Sequence, residues 1–402
     1  MSKHTNGPDD LRLRDELGRE LHQRADRFQA APLSFDDVRG RAARIQRTRR
    51  IKAAAAVAAA VAIIVPVGMF AGQGLNRTEQ IPPASQGPSE SPSPTPAVQP
   101  DPGPHQLDVD AAQGPGAAVP YLDRRLLVRP DGTTRGLSDT YQQFVLVGDE
   151  IVALRYEQGD PFLDVIGADG DIVRTVAGVT GLAGNGSQAV WSTANGDLVG
   201  WEDGTDSLLA TPGGEVAVAA VVGDLRSPDF AVYFNRGYGE SPMVTVGGEP
   251  AQAVTEDSIV LTDADARRRT ALRVSSSDAG SCSGVHEPGT GLLWESCDYS
   301  LTTFSPDGRY VLAPPAYLDG LGYGTLAVLD ASTGDLVTTY EIDGGFISSA
   351  TWEDSSHPLV VTHTDEGWNM LRLGLDGSIE LVADPVNDAD EMNRPYHFTG
   401  RP

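Results

Sequence analysis

The sequence predicts an all-β fold for residues 119–402, a β-propeller of six to seven blades. Short apolar runs there alternate with Gly-containing turns, the turns recur about every 40 residues, and no convincing amphipathic helix is present. Ahead of it the sequence predicts a short helical segment at 1–52, one transmembrane helix at 53–72 and a disordered Pro-rich linker at 73–118.

Hairpin turns mark the strand units of the predicted propeller. Asp-Gly pairs at 131–132, 169–170, 203–204 and 376–377, with Thr333-Gly334, suit the positive φ values of tight hairpins. The spacing is most regular among the first three pairs and again between the last two. A repeat of about 40 residues with four strands is typical of a propeller blade. Another all-β arrangement is the alternative.

The clearest blade is predicted at 299–342, with strands at 301–304, 309–313, 325–330 and 335–342. Its string FSPDGRYVL, followed by LAVLDASTGDLV, resembles the WD40-like and TolB-like propeller repeat. The chain has no Gly-His or Trp-Asp dipeptide and so departs from a regular WD40 protein. A first hairpin at 121–137 is expected to close the ring beside the last blade.

The run AAAAVAAAVAIIVPVGMFAG at 53–72 predicts the membrane span. Its 20 uncharged residues would form a helix of about 30 Å, the thickness of the bilayer's hydrocarbon core. A cleaved signal peptide is disfavoured because 52 residues precede the run, and a buried soluble helix is the other alternative. Seven cations between Arg39 and Lys52 predict a cytoplasmic N-terminus and an extracellular C-terminal domain in the cell membrane.

Two amphipathic helices are predicted in residues 1–52. Their apolar residues recur every three or four positions, but the pair is too small to bury its own stripes. The segment is therefore a topology signal, a partner-binding helix pair or an interfacial helix on anionic lipid. The candidate partner-binding residues are Leu13, Leu17, Leu21, Phe28, Phe35, Val38 and Ile45.

The string LRLRDELGRELHQRADRFQAAPLSFDDVRGRAARIQRTRR, followed by an Ala/Val-rich span, resembles actinobacterial single-span proteins that accompany extracytoplasmic-function sigma factors. That resemblance extends to the end of the predicted span and implies an anti-sigma-like segment that binds a sigma factor. The zinc-type His-x-x-x-Cys-x-x-Cys motif of such domains is absent, because the segment has no cysteine.

The linker at 73–118 holds 10 of the 28 prolines and few large apolar residues. Such a chain is extended and semi-rigid, and we expect it to hold the propeller away from the membrane. The net charge of -26 is uneven: residues 1–52 have 13 Lys+Arg and 8 Asp+Glu, which leaves 17 and 48 for the rest. This acidity disfavours direct nucleic-acid binding by the outer domain.

Cys282 and Cys297 are the only cysteines, and an extracellular location predicts a disulfide between them. A catalytic thiol is the alternative, although Gly280–Gly284 lacks the strand-to-helix context of a nucleophile elbow. The run Gly320-x-Gly-x-Gly324 precedes a strand and predicts a blade loop, not a dinucleotide site. The acidic stretch 384–391 lacks the pattern of a calcium loop.

We therefore expect no catalytic residue, no cofactor and no metal site. We therefore predict a single-pass membrane protein. Its extracellular propeller is expected to bind or sense a ligand or protein, and its cytoplasmic segment to relay that binding. The alternatives are an anti-sigma-like regulator that acts through residues 1–52 and an extracytoplasmic propeller enzyme. The ligand has no sequence motif.

Overall fold

The computed structural model describes residues 100–399, apart from 238, 248, 278, 279, 319 and 389. Its regular elements are all β-strands, and they form seven four-stranded sheets. Several central strands are buried along most of their length, such as residues 310–313 and 358–363, as expected where both faces of a sheet pack against neighbouring sheets. The predicted all-β propeller is confirmed, and the number of blades is seven.

The blades follow the chain, and each strand is antiparallel to the next within its blade, except for the outermost strand of blade six. From the inner to the outer strand, blade one has β28 (Tyr396–Phe398), β2 (Tyr121–Asp123), β3 (Leu126–Val128) and β4 (Thr134–Gly136); blade two has β5 (Gln143–Val147), β6 (Glu150–Glu157), β7 (Asp160–Ile166) and β8 (Ile172–Ala177); blade three has β9 (Val179–Gly184), β10 (Ala189–Thr193), β11 (Leu198–Glu202) and β12 (Thr205–Ala210); blade four has β13 (Val216–Val222), β14 (Ala231–Arg236), β15 (Met243–Val246) and β16 (Gln252–Ala253).

The remaining blades have the same order, except that in blade six residues 299–304 take the innermost position and an early strand of the chain is added outermost. Blade five has β17 (Val260–Ala264), β18 (Thr270–Ser277), β19 (Gly280–Glu287) and β20 (Gly291–Ser296); blade six has β21 (Tyr310–Ala313), β22 (Thr325–Asp330), β23 (Leu336–Glu341) and, outermost, β1 (His105–Gln106), which is parallel to β23; blade seven has β24 (Gly345–Trp352), β25 (Pro358–Thr364), β26 (Gly367–Leu373) and β27 (Ile379–Leu381). Residues 299–304 lie on the inner side of β21, where the Thr302 N–H donates to the Leu312 carbonyl at 2.9 Å.

The two ends of the propeller sequence meet in blade one. The late strand β28 pairs antiparallel with β2, so that Tyr121 lies opposite Phe398 and Asp123 lies opposite Tyr396. The hairpin expected to close the ring is thus completed by the last strand of the chain. Because each strand reverses direction, the connections between blades lie at one end of the ring, together with the turns between second and third strands.

The core is divided among the blades. Seven clusters of buried apolar side chains are found in the described part of the chain, and each joins two neighbouring blades. In one cluster Trp191 and Trp201 of blade three pack with Val152 and Leu163 of blade two. Burial of such side chains contributes about 1.5–3 kcal/mol each before the entropy cost of folding, so the blades stabilise one another as pairs.

Positive φ angles occur where the turn pairs predicted them. Gly132, Gly170, Gly204, Gly334 and Gly377 all have left-handed φ angles, from 74° at Gly204 to 92° at Gly170. Glycine has no Cβ to clash in this region and so takes it at little cost. Each of these turns joins the last two strands of its blade in chain order.

Residues 100–120, which we name the N-terminal strap, overlap the predicted linker. The linker was expected to reach residue 118, but its described part, residues 100–118, belongs to this strap and packs on blades six and seven. Strand β1 pairs in parallel with β23, and the Gly114 N–H donates to the Leu381 carbonyl at 2.8 Å. The Arg372 guanidinium donates to the carbonyls of Pro115 and Gly116. Main-chain hydrogen bonds of this kind need few apolar side chains, so composition did not reveal them.

No helix among residues 100–399 that the structure describes is long and apolar enough to cross a membrane. The predicted helical segment at 1–52, the span at 53–72 and the first part of the linker lie outside the described residues.

Candidate functional site

The inner strands of the blades surround a central channel with a cavity of about 270 Å³. Small and polar side chains line most of it. Asp263 is a buried acidic residue on this wall. Its Oδ2 accepts hydrogen bonds from the Phe304 N–H at 2.8 Å and the Thr303 hydroxyl at 3.2 Å. This carboxylate therefore joins blades five and six.

A second cavity, of about 530 Å³, lies at the end of the ring where the blades are connected. Its walls come from blades one and seven, the loop before β5 and the β21–β22 loop of blade six. Gln142 and Arg394 line both cavities, so the two spaces adjoin. We name the larger one the channel-mouth cavity. Its volume is in the range of small-ligand sites.

Arg124, Arg125 and Arg394 bring three positive charges to the channel-mouth cavity. Arg124 and Arg125 form the turn between β2 and β3, and Arg124 has a left-handed φ of 54°. The Arg124 N–H donates to the Pro395 carbonyl at 2.7 Å, which ties this turn to the loop that carries Arg394. The Arg125 guanidinium donates to the Ser138 carbonyl.

Arg394 is partly buried and has no carboxylate within ion-pair distance among the described residues. Its Nη2 lies 2.9 Å from Nδ1 of His397. Burial lowers the pKa of Arg394 from its ordinary value, because removal from water disfavours the charged form. The guanidinium still remains charged near neutral pH, since an arginine pKa is far above 7.

His397 lies beside this cation. Its ring nitrogens are 3.0 Å from the Gln142 carbonyl and 3.1 Å from the Arg394 carbonyl. Burial first, and the charge of Arg394 second, lower the pKa of His397 to about 4. His397 is therefore neutral at pH 7, and a positive charge is added to the cavity only at acid pH.

Two buried aromatic rings line the cavity. The Tyr141 hydroxyl donates to Oδ2 of the buried Asp164 at 3.1 Å, and Arg155 Nε donates to the same oxygen at 2.7 Å. Burial, with a contribution from the Asp164 charge, raises the pKa of Tyr141 to about 12. Trp368 Nε1 donates to the Asp390 carbonyl at 3.3 Å. These contacts hold both rings in place.

Two exposed apolar side chains line the channel-mouth cavity. Met392 is 76% exposed and Leu321 is 46% exposed, and both line the cavity. Tyr317 and Leu318, at 59% and 49%, belong to the same β21–β22 loop as Leu321. Exposed apolar residues are ordinary when single, but a group beside a cavity is typical of a binding surface. We name Leu321 and Met392 the apolar rim.

Side-chain hydrogen bonds brace the loop that carries Met392. Asp388 accepts from the Asp390 N–H at 3.0 Å and from Asn393 Nδ2 at 2.9 Å. Asp390 accepts from the Met392 N–H at 3.0 Å. The acidic stretch 384–391 thus uses two of its carboxylates to accept hydrogen bonds from its own loop.

The two cysteines lie at disulfide distance, with 1.97 Å between the Cys282 and Cys297 sulfurs. They close the open end of the β19–β20 hairpin in blade five and are not part of the channel mouth. Cys282, Glu295 and Cys297 form the one cluster of three residues with metal-ligating side chains in the described chain. Two of its ligand atoms are bonded to each other, so the cluster does not offer a three-ligand site.

The candidate partner-binding residues of the N-terminal segment all lie outside the described residues: Leu13, Leu17, Leu21, Phe28, Phe35, Val38 and Ile45. The channel-mouth arginines were not predicted from the sequence. Arg124 and Arg394 lie near opposite ends of the propeller sequence, and no local motif marks either. A double-arginine turn in an acidic domain was the one available signal.

No family model matches the chain, and no curated protein matches it in sequence. Similar solved structures include the C-terminal WD40 domain of Sif2, with 13% identity, 69% of this chain and 87% of that chain covered, and a TM-score of 0.44. A prolyl endopeptidase, one of two described together, has 16% identity, coverages of 67% of this chain and 48% of that chain, and a TM-score of 0.48. Dihydro-heme d1 dehydrogenase NirN in complex with DHE has 13% identity, coverages of 70% and 69%, and a TM-score of 0.46. Likeness at this level concerns the fold alone.

Proposed function

We propose that this chain is a single-pass membrane protein whose extracellular propeller binds a ligand or protein partner at the channel mouth. The observation that supports it best is the channel-mouth cavity. There Arg394, which has no carboxylate partner in the described chain, lies among buried aromatic rings and an apolar rim. A cation without a carboxylate partner costs stability when it is partly buried. A ligand that supplies the opposite charge explains why it is there.

Binding accounts for this site better than catalysis. Among the described residues that line the two cavities, the acidic side chains are Asp263 in the channel and Glu391 at the mouth. Asp263 accepts hydrogen bonds from blade six, and Glu391 is exposed. General acid–base chemistry requires such groups to converge on one reacting atom, and these two lie in different cavities.

Photo-crosslinking tests the location of the site. A benzophenone amino acid at position 392, on the apolar rim, is expected to give a ligand or partner adduct in cells. The same probe at position 208 is the control, because Leu208 is 65% exposed on the outer strand of blade three. Adduct formation at 392 that is lost in Arg394→Gln supports the proposal. Equal adducts at 392 and 208 contradict it.

The membrane topology is supported by the uncharged run at 53–72 and the seven cations that precede it. Basic flanks remain in the cytoplasm, which places residues 73–402 outside. A reporter fused after Pro402 tests this orientation. Activity of a periplasm- or surface-dependent reporter supports it, and activity of a cytoplasm-dependent reporter alone overturns it.

Sigma-factor binding by residues 1–52 is a second candidate function. It is favoured by the two apolar stripes, which are too small to form a core and so require a partner. Capture of a sigma factor by the full chain, lost when Leu17 and Phe35 are replaced by Asp, supports this function. Binding that survives both substitutions contradicts a role for the stripes.

A further inference from the structure

We infer that the channel-mouth cavity recognises a peptide carboxylate together with an adjacent apolar side chain. This inference rests on the proposed function and names the chemistry of its ligand. It combines three observations: a cation without a carboxylate partner in the described chain, a cavity larger than an inorganic anion and an apolar rim.

The charge of the site comes from its arginines. Arg394 has no ion-pair partner in the described chain, and neither do Arg124 and Arg125, which line the same cavity. Glu391 lies at the cavity too, but it is exposed and makes no ion pair with these arginines among the described residues. The chain's net charge of -26 repels anions in general, so an anion that binds needs a local cluster such as this one.

The arginine geometry favours a planar anion. A guanidinium presents its N–H groups as a fork that matches the two oxygens of a carboxylate. One nitrogen of Arg394, Nη2, lies against His397 Nδ1 at 2.9 Å. That contact fixes the side chain and leaves the other N–H groups for a ligand. Burial of Arg394, which also lowers its pKa, strengthens an interaction with an opposite charge.

The cavity is larger than an anion alone would fill. A space of about 530 Å³ is several times the volume of a carboxylate or phosphate group. Tyr141 and Trp368 are each 1% exposed and form apolar parts of its wall, while Leu321 and Met392 stand at its rim. An apolar side chain next to the carboxylate, such as that of a C-terminal Leu or Phe, would cover the exposed side chains of Leu321 and Met392. Phosphate alone would leave them in water.

A titration of the full chain, purified in nonionic detergent, tests this inference. The probes are N-acetyl tripeptides that end in Leu, Phe, Val or Ser, each as free acid and as C-terminal amide, and inorganic phosphate. We expect the free acids ending in Leu, Phe or Val to bind about tenfold or more tightly than their amides. The same acids should bind more tightly than the peptide ending in Ser.

Variants locate the effect. Arg394→Gln should remove the preference for free acid over amide, and Arg394→Lys should keep part of it. Arg124→Gln, at an exposed position, should weaken binding of the acids while the fold is unaffected. Arg226→Gln is the matched control, because Arg226 is paired with Glu202 and Asp203 at the other end of the ring. It should retain the full preference.

The possible results distinguish an error in the ligand chemistry from an error in the position of the binding site. Equal binding of acids and amides, or phosphate binding as tight as that of the acids, overturns the carboxylate inference. Peptides that fail to bind while the position-392 crosslink still forms overturn the ligand chemistry and leave the proposed site standing. Failure of both peptide binding and crosslinking overturns both proposals.

Discussion

Arg372 and Arg394 are two partly buried arginines with opposite surroundings. Arg372 anchors the N-terminal strap on blade seven: Nη2 is 2.8 Å from Oε1 of Glu353, and Nη1 is 3.0 Å from Oε2 of Glu380. Hydrogen bonding to Glu353 raises the pKa of Arg372. Arg394 has a neutral histidine as its neighbour, and burial lowers its pKa. Within the described chain, the first arginine has carboxylate partners and the second has none.

This difference separates a structural site from a binding site. Paired buried charges depend on each other, so removal of one partner destabilises the protein strongly. An unpaired cation contributes little to folding and keeps its interaction energy for another molecule. The two regions therefore predict different effects of the same substitution, Arg to Met, on stability and on binding.

Arg372→Met should have the largest effect on stability. It leaves Glu353, whose side chain is 3% exposed, without its partner, and it removes the donor for the strap carbonyls of Pro115 and Gly116. We expect a loss of about 3–5 kcal/mol in the free energy of unfolding, measured by urea denaturation. The double variant with Glu353→Gln should recover part of this loss. A loss below about 1 kcal/mol would contradict the anchor role.

The acid sensitivity of the channel mouth is the next largest effect. His397 has a pKa of about 4 in the folded protein against 6.5 ordinarily, so the unfolded chain binds more protons between these values. Stability contributed by the neutral ring is present above pH 6.5 and is lost as the pH falls towards 4. His397→Gln should reduce this acid loss by up to about 3 kcal/mol. Identical pH–stability curves for the two proteins would contradict the pKa assignment.

Arg394→Met should change the free energy of unfolding by no more than about 1 kcal/mol. It removes one hydrogen bond to His397 and also the cost of holding an unpaired charge away from water, and these effects oppose each other. Thermal unfolding of the Arg394→Met and Arg372→Met proteins, measured side by side, compares the two losses of stability directly. If Arg394→Met were as destabilising as Arg372→Met, the two regions would not differ as described.

Arg124→Gly should have the smallest effect on stability. Arg124 has a φ of 54°, which costs a non-glycine residue about 1 kcal/mol or slightly more. Glycine relieves that strain but adds about 0.5–1 kcal/mol of unfolded-state entropy. Since the main-chain bond to Pro395 is kept, we expect stability within about 1 kcal/mol of the original and weaker anion binding. Unchanged binding would exclude Arg124 from the site.

Local patterns in the sequence predicted the repeating units of the propeller. The turn glycines Gly132, Gly170 and Gly204, and the string around Phe304, identified hairpins because those residues act on their immediate neighbours. The strap could not be recognised in this way, since its partners β23 and β27 lie near the other end of the propeller sequence. The Cys282–Cys297 disulfide was predicted because these are the only two cysteines and were expected outside the cell, and their sulfurs do lie at bonding distance.

Local patterns in the sequence could not predict the channel-mouth site. Arg124, Tyr141, Trp368 and Arg394 come from both ends of the propeller sequence, and only closure of the ring through β28 brings them together. The same holds for the surroundings of Arg394, which depend on what lies nearby in three dimensions. Charge in the sequence alone does not distinguish it from Arg372.

The pKa of His397, measured by NMR with ¹³C-labelled histidine in the presence and absence of an N-acetyl tripeptide ending in Leu, tests the central claim most directly. His397→Gln assigns the signal. A carboxylate on Arg394 would offset the positive charge that helps to lower this pKa, so we expect the pKa to rise from about 4 when the free acid binds and to remain there with the amide. A free acid that binds without changing the pKa of His397 would place the ligand elsewhere and contradict the account.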